Sequence, residues 1–254
     1  MLTRYFIFIS YKGTSYCGWQ VQPNSFTVQK VLNDALSTVL REKISATGAG
    51  RTDTGVHARN FCAHFDSSSN DLHKWEDLVH RLNGYLPSDI AVNYIKKVND
   101  SAHARFSAIS RTYMYYIALH KDPFRNDTSW FLPGKPDIDL MNRACEILLM
   151  HNDFTSFSRL HSGAKTNICK IYSAGWKEED SFLVFTIRAD RFLRNMVRAI
   201  VGTMVDVGRG KTSIQGFEEI IFSRNRKNAG SSAPAKGLFL TSIEYPGEIF
   251  TGQE

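Results

Sequence analysis

The alternation of apolar and polar positions divides the chain into strand-like and helix-like segments. Residues 4–11 are aromatic and β-branched, which predicts an opening strand. Apolar residues at helical spacing then predict an amphipathic helix over Thr27–Leu40, with its apolar side on a sheet. Beyond a polar loop, the pattern predicts a strand around 61–66, a helix around 74–83 and a strand at 90–98. This order indicates an α+β half.

The second part of the chain repeats this order of elements. Residues 111–117 have the composition of a strand, and their alternation places Tyr113 and Tyr115 on one face. A helix is predicted at 138–149, after a Pro/Gly-rich break. The remaining predicted elements are strands at 168–176 and 182–187, helices at 191–205 and 217–222, and a closing strand at 237–243. We therefore predict an α+β protein of two α/β halves, residues 1–105 and 106–254.

The predicted helix at 191–205 has two contrasting faces. The apolar positions that indicate a buried side are Phe192, Met196, Val197, Ile200, Val201 and Met204. The polar positions on the other side recur at i, i+3, i+4 and i+7, and they are Arg191, Arg194, Asn195 and Arg198. Such a row is often only a solvated face, and it also suits binding to phosphates or to a carboxylate. Spacing alone leaves both interpretations open.

Composition favours a folded protein with a modestly basic surface. The chain has 254 residues, 43% of them apolar and 12% aromatic, so it is long and apolar enough to bury a substantial core. The formal net charge of +6 permits a nucleic-acid partner without requiring one. Basic residues form two groups: Arg188, Arg191, Arg194 and Arg198, and then Arg224, Arg226 and Lys227. This clustering favours a polyanionic partner.

The cysteine pattern bears on the cellular compartment. The 4 cysteines are far apart in the sequence and form no Cys-x-x-Cys pair. This spacing predicts neither a zinc site nor a disulfide framework, and it favours reduced thiols in a cytoplasmic protein. The longest apolar runs are far shorter than a membrane span, so we expect no membrane partner.

The candidate chemistry lies in the polar loop Gly48–Arg59, which follows the strand-like residues 44–47. One carboxylate, Asp53, stands there among glycines, hydroxyl groups and arginines. The nearby Arg51 favours the ionised carboxylate, and burial in a cleft would make that carboxylate more reactive. Asp53 is therefore a candidate nucleophile or base. An aspartate in a Gly/Thr-rich loop is also a common turn or helix cap, and the local sequence leaves this interpretation open.

Asp53-Thr54-Gly55 also matches the Asp-Thr-Gly of aspartic proteases, in which two such carboxylates share a proton. That protease loop normally follows apolar strand residues, whereas Asp53 follows Arg51-Thr52. No second Asp-Thr/Ser-Gly occurs in the chain, so only a dimer would supply the second carboxylate. The protease is kept as an alternative.

A series of sequence blocks, taken in order, resembles one family, the TruA-type tRNA pseudouridine synthases. The blocks are Gly13–Gln20, Gly50–Ala58, Leu86–Val92, His103–Ala108, Arg111–Tyr115, Asn152–Phe157, Phe192–Arg198 and Ala233–Leu238. They extend over nearly the whole chain. Two positions depart from the family pattern: Lys12 stands where an acidic residue usually precedes Gly13, and Cys169 replaces an arginine. These departures bear on phosphate contacts in those regions.

The resemblance implies a fold, a reaction and partners. The fold would be two α/β halves with mainly antiparallel sheets, related by approximate two-fold symmetry around a central basic cleft. The enzyme would isomerise uridine to pseudouridine in the anticodon stem-loop of tRNA, as a homodimer and without a metal or nucleotide cofactor. The first half would carry the catalytic aspartate loop, and the second half the stacking tyrosine and the Arg-rich helix.

The resemblance also implies roles for individual residues. Asp53 matches the catalytic aspartate, Tyr113 the tyrosine that stacks on the target base, and Arg198 the arginine that pairs with the aspartate. Arg51 matches the loop arginine that assists base extrusion. The further candidates for RNA contacts are His57, Arg59, Arg191 and Arg194. A tRNA-binding or chaperone module without catalysis is the alternative, and the intact set of Asp53, Tyr113 and Arg198 argues against it.

Overall fold

The chain folds into two compact units. The structure, a computed structural model, describes residues 2–75, 77–159 and 165–251. One unit comprises Met1–Ile109 with Leu240–Glu254, and the other comprises Ser110–Phe239. The sequence division after residue 105 falls close to the first of these boundaries. The same division placed residues 240–254 in the second half, whereas the described part of this segment, residues 240–251, belongs to the first unit.

The first unit is built on an antiparallel sheet with helices. Its elements among the described residues are β1 (Thr3–Tyr11), β2 (Thr47–Gly48), β3 (His57–Ser67), β4 (Ile90–Lys97), α1 (Val28–Leu40) and α2 (Leu78–Tyr85). Strand β1 lies between β3 and β4, and the short β2 pairs with β3. Both faces of this central strand are covered, so Tyr5, Phe6 and Ile7 are fully buried. Its continuous apolar sequence reflects that position.

The amphipathic helix predicted at 27–40 is confirmed as α1. Its buried stripe consists of Val28, Leu32, Ala35 and Leu36. Helix α2 differs from its prediction, because it begins only at Leu78 and continues through Gly84. Gly84 does not adopt the positive φ of a glycine that ends a helix. Glu76, within the helix predicted at 74–83, lies outside the described residues.

The C-terminal segment joins the first unit through backbone and aromatic contacts. The N–H of Asn99 donates to the carbonyl oxygen of Ile249 at 2.9 Å. The Tyr245 hydroxyl donates to the carbonyl oxygen of Ala104 at 2.6 Å. The Tyr245 ring also packs edge-on against Phe6, with 5.0 Å between ring centroids. These partners are distant in sequence, so the local pattern that set the division at residue 105 does not reveal them.

The second unit combines an antiparallel sheet with helices in a similar way. Its elements among the described residues are β5 (Ser110–Ala118), β6 (Trp130–Phe131), β7 (Ile171–Glu179), β8 (Phe182–Ala189), α3 (Ile138–Met150), α4 (Met196–Gly208) and α5 (Ile214–Phe222). Strand β8 is antiparallel to β5 and β7 on either side, and β6 pairs in parallel with β5. A last strand, β9 (Leu238–Glu244), passes from the second unit into the first.

The predicted mixed α/β fold with mainly antiparallel strands is confirmed. In the part of the chain that the structure describes, no helix is long and apolar enough to cross a membrane.

Helix α4 begins later than the sequence pattern predicts. The pattern indicates a helix from about Arg191, whereas α4 begins at Met196. Asn195, immediately before it, has a left-handed φ of 66°, which interrupts any continuous helix through this segment. Arg191 and Arg194 therefore lie outside the helix. The predicted arginine row along one helical face is wrong.

Candidate functional site

The Asp53 loop, residues 49–56, connects β2 to β3 in the first unit. It is shorter than predicted, because β3 begins at His57, within the segment expected to be a loop. Asp53 is half-buried and Arg51 is exposed. The backbone N–H of Val56 donates to the carbonyl oxygen of Asp53 at 3.1 Å. This bond closes a tight turn directly after the aspartate.

Thr52 fixes the loop on the side before Asp53. Its side chain is buried, and its hydroxyl shares a 2.8 Å hydrogen bond with the hydroxyl of Tyr11 at the end of β1. Its carbonyl oxygen accepts a hydrogen bond from the N–H of Trp19 at 3.3 Å. A Cβ at Gly18 would overlap this carbonyl oxygen, and Gly18 has a φ of 82°. Only glycine combines that conformation with so close an approach.

Gly13 and His57 fix the loop on the side after Asp53. His57 is 1% exposed, and its Nδ1 accepts a 3.0 Å hydrogen bond from the N–H of Gly13. An accepting Nδ1 carries no proton, so this bond selects the neutral tautomer with its hydrogen on Nε2. A Cβ at Gly13 would overlap the carbonyl oxygen of Val56. The sequence assigned His57 to RNA contact, whereas the structure places it inside the protein, where it positions the loop.

Tyr113 lies on β5 in the second unit and is half-buried. Its ring makes a T-shaped contact with Phe192, with 5.1 Å between centroids and 88° between planes. Such a contact restricts the orientation of both rings. Tyr115, two positions further along the strand, is fully buried, and its hydroxyl donates to the carbonyl oxygen of Pro234 at 2.8 Å. The strand therefore presents one tyrosine to the core and keeps the other partly accessible.

Arg198 lies in the first turn of α4 and is half-buried. Its Nε donates to the carbonyl oxygen of Ala233 at 2.7 Å. The segment containing Ala233 runs close to the helix, because a Cβ at Gly202 would overlap the carbonyl oxygen of Ser231. Burial raises the pKa of the Tyr115 phenol, and the nearby charge of Arg198 opposes that rise. Arg198 is thus fixed against its own unit.

The remaining predicted contacts lie on separate elements. Arg59 is exposed on β3 in the first unit. Arg194 is exposed just before α4, and the N–H of Arg191 donates to Oδ1 of Asp190 at 2.7 Å. The first unit therefore carries the aspartate loop, and the second carries the tyrosine and the arginines near α4.

Sequence reasoning gave no role to Tyr11, Gly18 and Thr52, which together fix the Asp53 loop. The available signal was Gly18, a glycine in a segment that is otherwise rich in aromatic and amide side chains. A glycine at this position does not reveal what it contacts, because Gly18 approaches Thr52, which is far from it in the sequence.

The sequence that forms these features matches a known protein family. A family model described as tRNA pseudouridine synthase matches residues 7–107 and 144–246. The matched residues include the Asp53 loop and α4, while Tyr113 lies between the two matched ranges. The chain belongs to the tRNA pseudouridine synthase family.

Individual relatives are similar to the chain over nearly its whole length. A protein of Parabacteroides distasonis named tRNA pseudouridine synthase A is 50% identical, with 98% of each chain covered. A protein of the same name from Bacteroides fragilis is 51% identical, covering 97% of this chain and 98% of its own. A third, from Geobacter sp. strain M21, is 39% identical over 94% of this chain and 98% of its own.

Proposed function

We propose that the protein isomerises uridine to pseudouridine in the anticodon stem-loop of tRNA, with Asp53 as the catalytic carboxylate. The observation that carries this proposal is the fixed position of the Asp53 loop. Hydrogen bonds hold Thr52 before the aspartate and His57 after it, so the backbone that carries Asp53 has a defined position. Family membership supports the reaction, and the names of the relatives support a tRNA substrate.

The reaction explains why a carboxylate is needed. Isomerisation breaks the bond from uracil N1 to ribose C1′, turns the uracil and joins its C5 to C1′. A carboxylate suits these steps because it attacks or stabilises an electron-poor carbon and then leaves again. In the proposed mechanism Asp53 acts in its ionised form, and Arg198 pairs with it to favour that form. The hydrogen on C5 is finally lost to solvent, and N1, which is no longer bonded to C1′, takes up a proton.

The target base must leave the RNA stack before it reaches Asp53, which costs a few kcal/mol. Stacking of the extruded base on Tyr113 offsets much of this cost. Arg51, exposed in the Asp53 loop, assists the extrusion. Arg59, Arg191 and Arg194 contact RNA phosphates, since arginine binds phosphate oxygens through paired N–H groups.

The proposed assembly is a homodimer that acts in the cytoplasm. Within each chain, the proposal includes approximate two-fold symmetry of the two halves and a central basic cleft. These features are supported by the family resemblance and by the similar combination of an antiparallel sheet with helices in each unit.

The experiment that tests the proposed function measures release of tritium from C5-labelled uridine in tRNA. Wild type should release up to one tritium atom per modified site, because C5 exchanges its hydrogen for the bond to C1′. Asp53→Asn should slow release on the order of 10³-fold or more while still binding tRNA. Tyr113→Phe keeps the ring and removes the hydroxyl, so its release separates stacking from proton transfer.

Asp34→Asn is the matched control, because Asp34 is an exposed carboxylate on α1 in the same unit, paired with Lys30. It should release tritium at the wild-type rate. Unchanged release by Asp53→Asn would remove Asp53 from the mechanism. No release by wild type on any tRNA would instead favour the binding module without catalysis.

A further inference from the structure

An aromatic side chain and two cations lie together at one corner of the second unit. The guanidinium carbon of Arg188 lies 5.2 Å from the ring centroid of Tyr172. Nζ of Lys170 lies 5.7 Å from the same centroid. Tyr172 is 39% exposed. We call these three residues the Tyr172 patch.

An irregularity in strand pairing creates the patch. Strand β7 pairs with β8 through Ile171 opposite Ala189 and Ser173 opposite Arg188, with a shift of register between them. Tyr172 is therefore the extra residue of a β-bulge, beside Arg188. Bulges redirect a side chain away from the regular alternation of a strand. Here the bulge places an aromatic ring next to a cation.

The carboxylate of Asp190 accepts hydrogen bonds from the backbone at Lys170, in the patch, and at Arg191, outside it. Its Oδ1 accepts hydrogen bonds from the N–H of Lys170 at 2.8 Å and the N–H of Arg191 at 2.7 Å. The backbone carbonyl of Asp190 also accepts a 2.7 Å hydrogen bond from Nη1 of Arg111. The carboxylate of Asp190 is thus held by backbone N–H groups.

The chemistry of the patch fits a phosphate ligand. A ring face attracts cations through its quadrupole, so Tyr172 helps to restrict the positions of the Lys170 ammonium and the Arg188 guanidinium. Cations held in position lose less entropy when they bind an anion. A guanidinium also matches phosphate oxygens with paired donors. Because the backbones of Lys170 and Arg191 share the Asp190 carboxylate, we expect one polyanion following the surface to reach both residues.

We infer that the Tyr172 patch binds phosphate groups of the tRNA backbone, with the tyrosine ring positioning Lys170 and Arg188. This inference rests on the proposed function for the identity of the RNA. It adds a binding site that depends on a β-bulge and on cation–π contacts. The aromatic ring orients the cations, and the cations contact the phosphates.

The test is the salt dependence of binding to an unmodified tRNA transcript. Lys170→Ala and Arg188→Ala should each weaken binding several-fold and lower the log–log salt slope by about 1 for each phosphate contact that is lost. Tyr172→Leu should lower both affinity and slope, whereas Tyr172→Phe should retain them because its ring still attracts cations. Lys177→Ala is the charge control, since Lys177 is exposed on the same strand β7. It should bind like wild type.

Several outcomes would overturn the inference. Affinity and slope in the Lys170 and Arg188 variants equal to those of Lys177→Ala would exclude a phosphate site. Weaker binding by Tyr172→Leu at an unchanged slope would show that the ring stacks on a base instead. Thermal unfolding of each variant checks the fold, and Lys170→Ala, at an exposed position, keeps the test valid if Arg188→Ala is unstable.

The two proposals fail separately, because binding to the transcript requires no turnover. If the patch variants lower the salt slope of tRNA binding and wild type releases no tritium, the proposed reaction is wrong and the RNA site is retained. If wild type releases tritium normally and the patch variants leave the salt slope unchanged, the reaction is retained and the RNA site is wrong.

Discussion

Arg198 and Ala233 are joined by two reciprocal hydrogen bonds. Nε of Arg198 donates to the carbonyl oxygen of Ala233 at 2.7 Å, and the N–H of Ala233 donates to the carbonyl oxygen of Arg198 at 2.9 Å. The first bond fixes the plane of the guanidinium at Nε. The second holds the partner segment against the first turn of α4. A charged group fixed in this way needs little reorganisation when it stabilises another charge.

Replacement of Arg198 tests whether this fixed charge serves catalysis. Arg198→Ala should lower the rate of tritium release on the order of 10²-fold or more, as removal of a preorganised charge typically does. The free energy of unfolding should fall by about 1 kcal/mol for the lost hydrogen bond to Ala233. Single-turnover tritium release and urea unfolding measure the two effects.

Arg209→Ala is the matched control for Arg198→Ala. Arg209 follows the other end of α4, and its Nη2 donates to the carbonyl oxygen of Pro133 at 2.7 Å. Its removal should cost similar stability and leave tritium release unchanged. A large loss of stability in Arg198→Ala with normal activity per folded molecule would assign Arg198 a structural role only.

The position of Gly18 predicts a second test. Gly18→Ala forces a side chain into a left-handed conformation and into the carbonyl oxygen of Thr52, so it should cost roughly 1–3 kcal/mol of stability. It should also slow tritium release, because Thr52 precedes Asp53. Gly50→Ala is the control, since an added Cβ there meets no heavy atom of the described residues within 4 Å. Equal behaviour of the two variants in unfolding would contradict the close contact.

Much of the fold follows from local sequence. The apolar spacing of α1 and the continuous apolar run of β1 appear in the structure because each reflects the burial of its own element. The start of α4 does not follow in the same way. Its apolar spacing extends upstream, but Asn195 adopts a left-handed conformation, and its Nδ2 donates to Ser232 at 2.6 Å. The helix is therefore interrupted at the residue that contacts Ser232, which is distant in the sequence.

The candidate site shows the same limit. The composition of its loop identifies Asp53, because a carboxylate among glycines and arginines is conspicuous in the sequence. The neighbours that fix the loop come from the end of β1 and the segment after it, and only the fold brings them to Thr52. His57 illustrates the consequence. The sequence made it a candidate RNA contact, whereas the structure buries it and pairs its Nδ1 with the N–H of Gly13, a partner that no local pattern reveals.

His57 yields a third prediction, which separates positioning from RNA contact. His57→Ala leaves the buried N–H of Gly13 without its acceptor, so stability should fall by roughly 1–3 kcal/mol and tritium release should slow. His57→Asn should restore most of both, because its side-chain oxygen replaces Nδ1 as an acceptor. The salt slope of tRNA binding should stay unchanged in both variants. A lower slope in His57→Ala would show a phosphate contact instead.

His64 provides the last test, because its protonation opposes its contacts in the folded state. It is 7% exposed on β3, and its Nδ1 accepts a hydrogen bond from the N–H of Ala104 at 3.2 Å. Burial, together with the nearby charges of His103 and Arg4, lowers the pKa of His64 from 6.5 to about 4, while the charge of Asp66 opposes this shift. The neutral imidazole is therefore the form that the fold favours.

The stability of the protein should consequently fall as the pH is lowered from 6.5 to about 4. In this window the unfolded chain binds a proton at His64 and the folded chain does not, so acid favours unfolding. The stability that is lost over this window is about 3 kcal/mol, from the difference between the two pKa values.

His64→Asn keeps an acceptor for Ala104 and does not titrate, so its stability should exceed that of wild type increasingly as the pH falls. Urea unfolding of wild type, His64→Asn and the exposed control His80→Asn at several pH values measures this. A stability difference between wild type and His64→Asn that does not change with pH would show that His64 keeps an ordinary pKa in the folded protein.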